Sequence, residues 1–178
     1  MEKSEIDGFK PVITAGEIQK RVEELGARIS EDYGNEYPLF IGVLKGAFVF
    51  LADLVRAISV PVEIDFAQIS SYGDETRSSG RIKILRDIST PITDRHVVVV
   101  EDIVDTGRTL HHYIAHLEAR GPKSVKVCAL VNKPERQEFT PEVHYLGFQI
   151  PEGFVVGYGL DWAGKYRDLP GVYEVPEE

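Results

Sequence analysis

The stretch that decides the fold is VVVVEDIVDTGRTL, residues 97–110. Four consecutive valines show no polar alternation, so they read as a strand buried on both faces, as in a parallel sheet. The strand is predicted over residues 97–101 and ends in a carboxylate. Glu101, Asp102 and Asp105 then give way to Thr106, Gly107, Arg108 and Thr109. A helix is predicted from about Thr109 to Arg120, with Leu110, Ile114 and Leu117 inward and Gly121 and Pro122 stopping it.

The flanking segments repeat this strand–helix alternation. TAGEIQKRVEELGARIS reads as a helix: Thr14 and Glu17 form a capping-box pattern, and Ile18, Val22, Leu25 and Ile29 share one face. PLFIGVL reads as a buried strand, and GAFVFLADLVRAI as a well-covered helix. VEIDFAQIS and RIKIL alternate as strands, and SVKVCALV, VHYLGFQI and FVVGYGL add three more. Such an order gives an α/β domain with a mainly parallel sheet flanked by helices. Ligands of these sheets bind beyond the carboxyl ends of the strands, which is where residues 101–109 fall.

The length of 178 residues fits one domain, with no repeat or linker to divide it. A net charge of -9 argues against a protein that grips nucleic acid by neutralising phosphates. No apolar run approaches a membrane span, and MEKSEIDGFK lacks the apolar core of a signal peptide. The single cysteine, Cys128, excludes an intrachain disulfide, reads as buried strand filler, and fits a cytoplasmic protein.

The hydroxyl end of the deciding stretch reads as a phosphate cradle. A helix start leaves free backbone N–H groups and a partial positive charge. Gly107 lets an anion approach the backbone, and Thr106 and Thr109 add hydroxyl donors. Arg108 is left open between an anion contact and solvent. Carboxylates beside such a cradle need a compensating partner: Mg²⁺, sugar hydroxyls, or a developing cation. A phosphorylated ribose ionising at its anomeric carbon would use all three. A plain acidic helix cap explains one carboxylate but not three followed by T-G-R-T. G-x-x-x-x-G-K-[ST] and G-x-G-x-x-G are both absent.

VVVVEDIVDTGRTL resembles the phosphoribosyl diphosphate signature of the type I phosphoribosyltransferases. Four further segments narrow the resemblance to the 6-oxopurine, hypoxanthine-guanine branch. GVLKGAFVFLADL is similar to its diphosphate loop, SSYGDETRSSGRIKI to its mobile loop (about 70–82), LVNKPERQ to its purine-lysine segment, and FVVGYGLDWAGKYRDLPGVYEV to its hood. They occur in the family's order across roughly residues 38–175. The resemblance implies a type I phosphoribosyltransferase fold in residues 1–178, with a core of about 38–150. A small hood from about 151–178 would join an N-terminal segment. It also implies a purine-salvage reaction: hypoxanthine or guanine and 5-phosphoribosyl 1-diphosphate give IMP or GMP and diphosphate, with Mg²⁺.

By that resemblance Glu101 and Asp102 face the ribose hydroxyls, directly or through metal-bound water, and Asp105 is the base near purine N7. Ile103, Val104 and the residues from Asp105 to Thr109 surround the phosphoribosyl group. Leu44, Lys45 and Gly46 form the diphosphate loop, with a non-proline cis peptide before the lysine. Lys133 donates to the purine O6, Phe154 stacks on the base, and Val155 contacts it through its backbone. Asp161 binds a second metal at the purine end, Arg167 contacts diphosphate, and Ser71 and Tyr72 head the mobile loop. A homodimer or homotetramer is expected from the family.

Each residue also has a plain reading. Lys133 follows CALVN, so it emerges at a strand's carboxyl end; an ammonium there favours a 6-oxo acceptor over a 6-amino donor. Otherwise it is a solvated turn lysine. Phe154 also suits core packing, Asp161 a turn cap, Arg167 a surface pair with Asp168, and Lys45 a loop. Residues 71–80 combine serines, glycines and mixed charge, as either a lid against water or a long hairpin loop. Ala47 and Arg108 stand where the family often has glycine and lysine. His112 and His116 lie four apart on a helix with no acidic partner on that face, so they read as surface or interface residues. His96, His111 and His144 have no evident partner. The rival readings are an RNA-binding attenuator on the same fold, which would need a basic face, a xanthine-preferring or adenine enzyme, and a non-catalytic nucleotide sensor.

Overall fold

The computed structural model describes residues 8–71, 82–151 and 153–176. The first helix, α1 (Ala15–Tyr33), starts at the expected capping box: Glu17 N donates to Thr14 Oγ1 and Thr14 N to Glu17 Oε2. Its apolar face buries Ile18, Val22, Leu25 and Ile29.

Six strands form the main sheet. They are β2 (Leu39–Leu44), β3 (Glu63–Ser71), β4 (Ile82–Arg86), β5 (His96–Val104), β6 (Ser124–Asn132) and β7 (Tyr145–Gln149), in spatial order β4-β3-β2-β5-β6-β7. All neighbours pair parallel except β3 with β4, so the one antiparallel strand sits at an edge. Strand alternation divides the core. Val98 and Val100 join α1 and α2 (Phe48–Ala57) on one face, while Val97 and Val99 join α3 (Arg108–Glu118) on the other. All four valines are fully buried, as a strand covered on both sides requires.

β5 runs three residues past the expected end at Glu101. Its ladder with β6 continues through Ile103↔Val131 and Val104↔Asn132, so backbone pairing holds the two acids inside the strand. FVVGYGL is not one strand. Val155–Val156 form β8, and then Gly157 (φ +99°), Tyr158 (φ +52°) and Gly159 (φ +102°) turn the chain in a region no strand occupies. The hood is a small antiparallel sheet, β1 (Lys10–Ile13) with β9 (Val172–Glu174) and β9 with β8. Val156, Leu169 and Val175 form its own core with Phe9, Tyr166 and Tyr173. β1 and β9 are too short for periodicity to reveal. Ser71 ends β3 opposite Ile82. Tyr72 and most of the expected mobile loop lie outside the described residues.

Two histidine readings change. The His116 ring Nε2 lies 2.7 Å from Asp87 Oδ2, so its acidic partner comes from beyond β4 rather than from its own helix. His111 stacks on Phe139, with ring centres 4.8 Å apart, and His96 and His144 bond to Ser124 Oγ and to Val127 N.

Candidate active site

The strand order reverses between β2 and β5. β2 leads through α2 to β3 on one side, and β5 leads through α3 to β6 on the other, with the two helices on opposite faces. A crevice opens at the carboxyl ends of two such strands. One lip is the turn after β2, where the Leu44–Lys45 peptide is cis, as expected for the diphosphate loop. Gly46 lies against Asp102: a Cβ there would stand 1.6 Å from Asp102 Oδ2. The hood closes on the same point, since a Cβ on Gly159 would stand 2.1 Å from Gly46 O. Ala47 has φ -74°, an ordinary helical value, so it needs no glycine freedom.

The other lip carries the acids. Glu101 lines the cavity below the α3 start, while Asp102 turns to the opposite face toward Gly46. Glu101 is 7% exposed, and burial, reinforced by the charge of Asp102, holds its carboxyl well above the usual range. Burial raises Asp102 to about 6, against a bond from Ile103 N to Asp102 Oδ1 of 2.9 Å. Each of these desolvated carboxylates is a group that a cation would relieve. Among the described residues no three acidic, histidine or cysteine side chains cluster to hold a metal. Asp161 is instead engaged by Arg167 Nη2 at 2.6 Å and by Gly164 N at 2.7 Å. The donor set therefore fits Mg²⁺ shared with substrate oxygens and water, a mode this hard ion favours, better than an all-protein cage.

The loop at the start of α3, where the sequence predicts a cradle, is firmly braced. Residues 103–110 and Glu101 line a cavity of about 250 Å³ at the α3 N-terminus. Gly107 caps that helix at φ +73°, and a Cβ would stand 2.0 Å from Phe139 O. Glycine is thus required by both conformation and space. Glu138 N and Phe139 N donate to Thr106 O at 3.0 and 3.1 Å, bracing the loop from the chain beyond β6. Arg108 pairs with Glu138 and lies over the Phe139 ring, which answers the open question about its direction. Thr109 lines the cavity.

Lys133 stands at the end of β6, its N–H bonded to Val104 O at 2.9 Å, so it shares an edge with the β5 residues. It is 3% exposed and its Nζ donates to Gly153 O at 2.6 Å, which rules out a solvated turn lysine. Burial lowers its pKa, with Asp105 opposing and Arg136 adding to that shift. Phe154, next to Gly153, is 50% exposed rather than packed in the core, while Val155 is buried in β8. Arg167 donates to Gly159 O at 2.5 Å and pairs with Asp161 Oδ1 at 2.6 Å. Arg136, in the single 3₁₀ turn Pro134–Arg136 described here, brings Nε to 3.2 Å from Asp105 Oδ1. Sequence reasoning missed Arg136, Gly153 and Gly159. The K-P-x-R turn was a possible signal for the first, and nothing local marked the other two.

The Phosphoribosyl transferase domain model matches residues 13–162. The hypoxanthine-guanine phosphoribosyltransferase of Bacillus subtilis is 44% identical over 96% of this chain and 93% of its own length. A hypoxanthine phosphoribosyltransferase from Staphylococcus aureus superposes with a TM-score of 0.93 at 35% identity, covering 98% of this chain and 97% of that one. The Trypanosoma cruzi hypoxanthine phosphoribosyltransferase, solved in complex with the product IMP, gives 0.90 at 37% identity, with 97% of each chain covered. With the signature on β5, the cradle on α3 and the hood in place, the chain belongs to the phosphoribosyl transferase domain family, in its hypoxanthine-guanine phosphoribosyltransferase branch.

Proposed function

We propose that this protein transfers the phosphoribosyl group of 5-phosphoribosyl 1-diphosphate to N9 of hypoxanthine or guanine, releasing diphosphate and giving IMP or GMP for purine salvage. One observation carries the reading. Lys133, a buried donor, and Asp105, an acceptor, share one strand-end edge beside the half-exposed Phe154 ring. A 6-oxopurine presents the complement, an O6 acceptor and an N7–H donor. In this reading Lys133 exchanges its bond to the Gly153 carbonyl for purine O6, Phe154 stacks on the base, and Val155 contacts it through its backbone.

The 5′-phosphate sits on the amides and hydroxyls from Thr106 to Thr109, at the positive end of α3. Glu101 and Asp102 face the ribose, where their charge favours the oxocarbenium character that grows as the C1–O bond loosens. Leu44, Lys45, Gly46 and Arg167 receive the diphosphate. N9 attacks C1, the C1–O bond breaks toward diphosphate, and the N7 proton passes to Asp105. Mg²⁺, if held by Glu101 or Asp102 together with substrate oxygens, would supply charge neutralisation for the leaving group. Asp161 positions Arg167 for the diphosphate and is the proposed ligand of a second metal near the purine. The protein is proposed to work in the cytoplasm as a homodimer or homotetramer; no described helix is long and apolar enough to cross a membrane.

The test is a spectrophotometric assay with phosphoribosyl diphosphate, Mg²⁺ and each of hypoxanthine, guanine, xanthine and adenine. Turnover of hypoxanthine or guanine is expected, and none of adenine. Asp105→Ala should lower turnover about 100-fold or more while phosphoribosyl diphosphate still binds. Full turnover in that variant would remove Asp105 from the proton-accepting role.

A further inference from the structure

We infer that Arg136 is a positioning residue for Asp105: it holds one carboxylate oxygen so that the other faces the incoming purine. The inference rests on the proposed role of Asp105 as proton acceptor. Arg136 Nε lies 3.2 Å from Asp105 Oδ1. That oxygen is buried and accepts no aligned hydrogen bond, so the guanidinium holds it by charge and contact. The Asp105 side chain is nonetheless 36% exposed, and with Oδ1 buried it is the Oδ2 side that is left to face the open site. A carboxylate turns about its last bond with little resistance. Fixing one oxygen therefore selects which oxygen is offered outward.

The turn that carries Arg136 is itself tied to the site. Arg136 N donates to Lys133 O at 3.2 Å, and Gln137 Nε2 donates to Asn132 Oδ1 at 2.6 Å. Two residues further, Glu138 N and Phe139 N donate to Thr106 O. The backbone that carries Arg136 is thus fixed relative to both Lys133 and the loop at Thr106, while its side chain, 52% exposed, meets Asp105 at its tip. It has no carboxylate partner among the described residues other than Asp105. A side chain whose one ion pair is with the proton acceptor, on a turn bonded to both ends of the site, is placed to set geometry. General-base catalysis requires the acceptor within hydrogen-bond reach of the proton, and small misplacements reduce it sharply.

The experiment compares R136Q, R136K, D105N and the R136Q/D105N pair in steady-state assays with hypoxanthine and magnesium phosphoribosyl diphosphate. R136Q should lower kcat about 10-fold or more, with the KM for phosphoribosyl diphosphate changed less than about 2-fold. R136K should recover part of the loss. In the D105N background R136Q should cause no further fall, because its effect passes through the carboxylate. Wild-type kcat in R136Q, or an equal fall in both backgrounds, overturns the inference. Should R136Q melt early, the kcat-against-KM split in R136K decides alone. Full turnover in D105N would instead overturn the proton-acceptor reading itself, a result separable from the others because it appears with Arg136 intact.

Discussion

At the scale of single residues, the site is made of groups held in states that folding disfavours. Asp102 is the measurable case. Its folded pKa is raised from 3.8 to about 6, mainly by burial, so the folded protein binds more protons than the unfolded chain between those values. Stability from this group therefore falls as pH rises from about 4 to 6, and the full penalty is present above pH 6. A shift of that size corresponds to at most about 3 kcal/mol, and partial water contact lowers it to about 1–2 kcal/mol. Asp102→Asn keeps the oxygen that accepts from Ile103 N and removes the charge. In EDTA at pH 7.5 it should melt roughly 2–6 °C higher than the parent, with the gap closing near pH 4. An equal gap at both pH values would show that charge is not the cause. The same substitution should abolish most turnover, since the carboxylate is proposed to face the ribose. Gly46 carries the complementary constraint. Gly46→Ala places a Cβ 1.6 Å from Asp102 Oδ2, so one lip of the crevice must move. It should raise the KM for phosphoribosyl diphosphate at least about 10-fold, measured beside an unchanged circular dichroism spectrum.

Among the elements, α3 and its preceding turn join fold to chemistry. Helices need a start, and here the start is a glycine at φ +73° with no side-chain cap. Apart from Arg108 N, which donates to Thr106 Oγ1 at 3.4 Å, the first-turn N–H groups are thereby left for an anion rather than for a serine or aspartate. Gly107→Ala meets both the left-handed backbone region and Phe139 O. It should destabilise by about 2 kcal/mol or more and weaken IMP binding at least about 10-fold by calorimetry. Thr14→Ala, which breaks the α1 capping box remote from the site, should lose about 1 kcal/mol with turnover unchanged. Elements of this kind were legible from the chain. Their periodicity exceeds two turns or four residues, and caps such as Thr14, Glu17 and Gly121 mark their ends. β5 was misjudged at its end because acidic side chains look like loop, whereas its backbone is held by β6 through Asn132. FVVGYGL was misjudged because apolar residues look like strand, whereas three consecutive positive φ values from Gly157 to Gly159 turn it back. In both places a contact from distant chain overrode local composition.

For the molecule as a whole, the hood meets the main sheet at the crevice, where Gly159 approaches Gly46, and this is the part composition conceals. The positions from Glu101 to Thr109 could be read because one continuous stretch supplies them. Gly153 and Gly159 could not, because each matters through a partner 20 or more residues away, as Lys133 Nζ to Gly153 O and Gly159 against Gly46 show, and Arg136 offered only the K-P-x-R turn as a signal. The two units are also joined by a bond from Tyr158 OH to Asp53 Oδ2 of 2.5 Å, which ties the hood turn to α2. Tyr158 is buried at 6% exposure and precedes Gly159, so this bond helps hold the hood against the turn after β2. Tyr158→Phe keeps the ring and deletes the donor. The loss should be about 1 kcal/mol in urea unfolding, the usual net value of one hydrogen bond. Its functional effect should be larger on hood ligands than on the cradle. The KM for hypoxanthine should rise several-fold, while ribose 5-phosphate binding at the α3 end stays within about 2-fold. Asp53→Asn preserves an acceptor and should lie between Tyr158→Phe and the parent. A uniform loss of affinity for both ligands in Tyr158→Phe would mean that the hood and the cradle move as one body, and that the Gly46–Gly159 contact, rather than the Tyr158–Asp53 bond, sets the closure of the site.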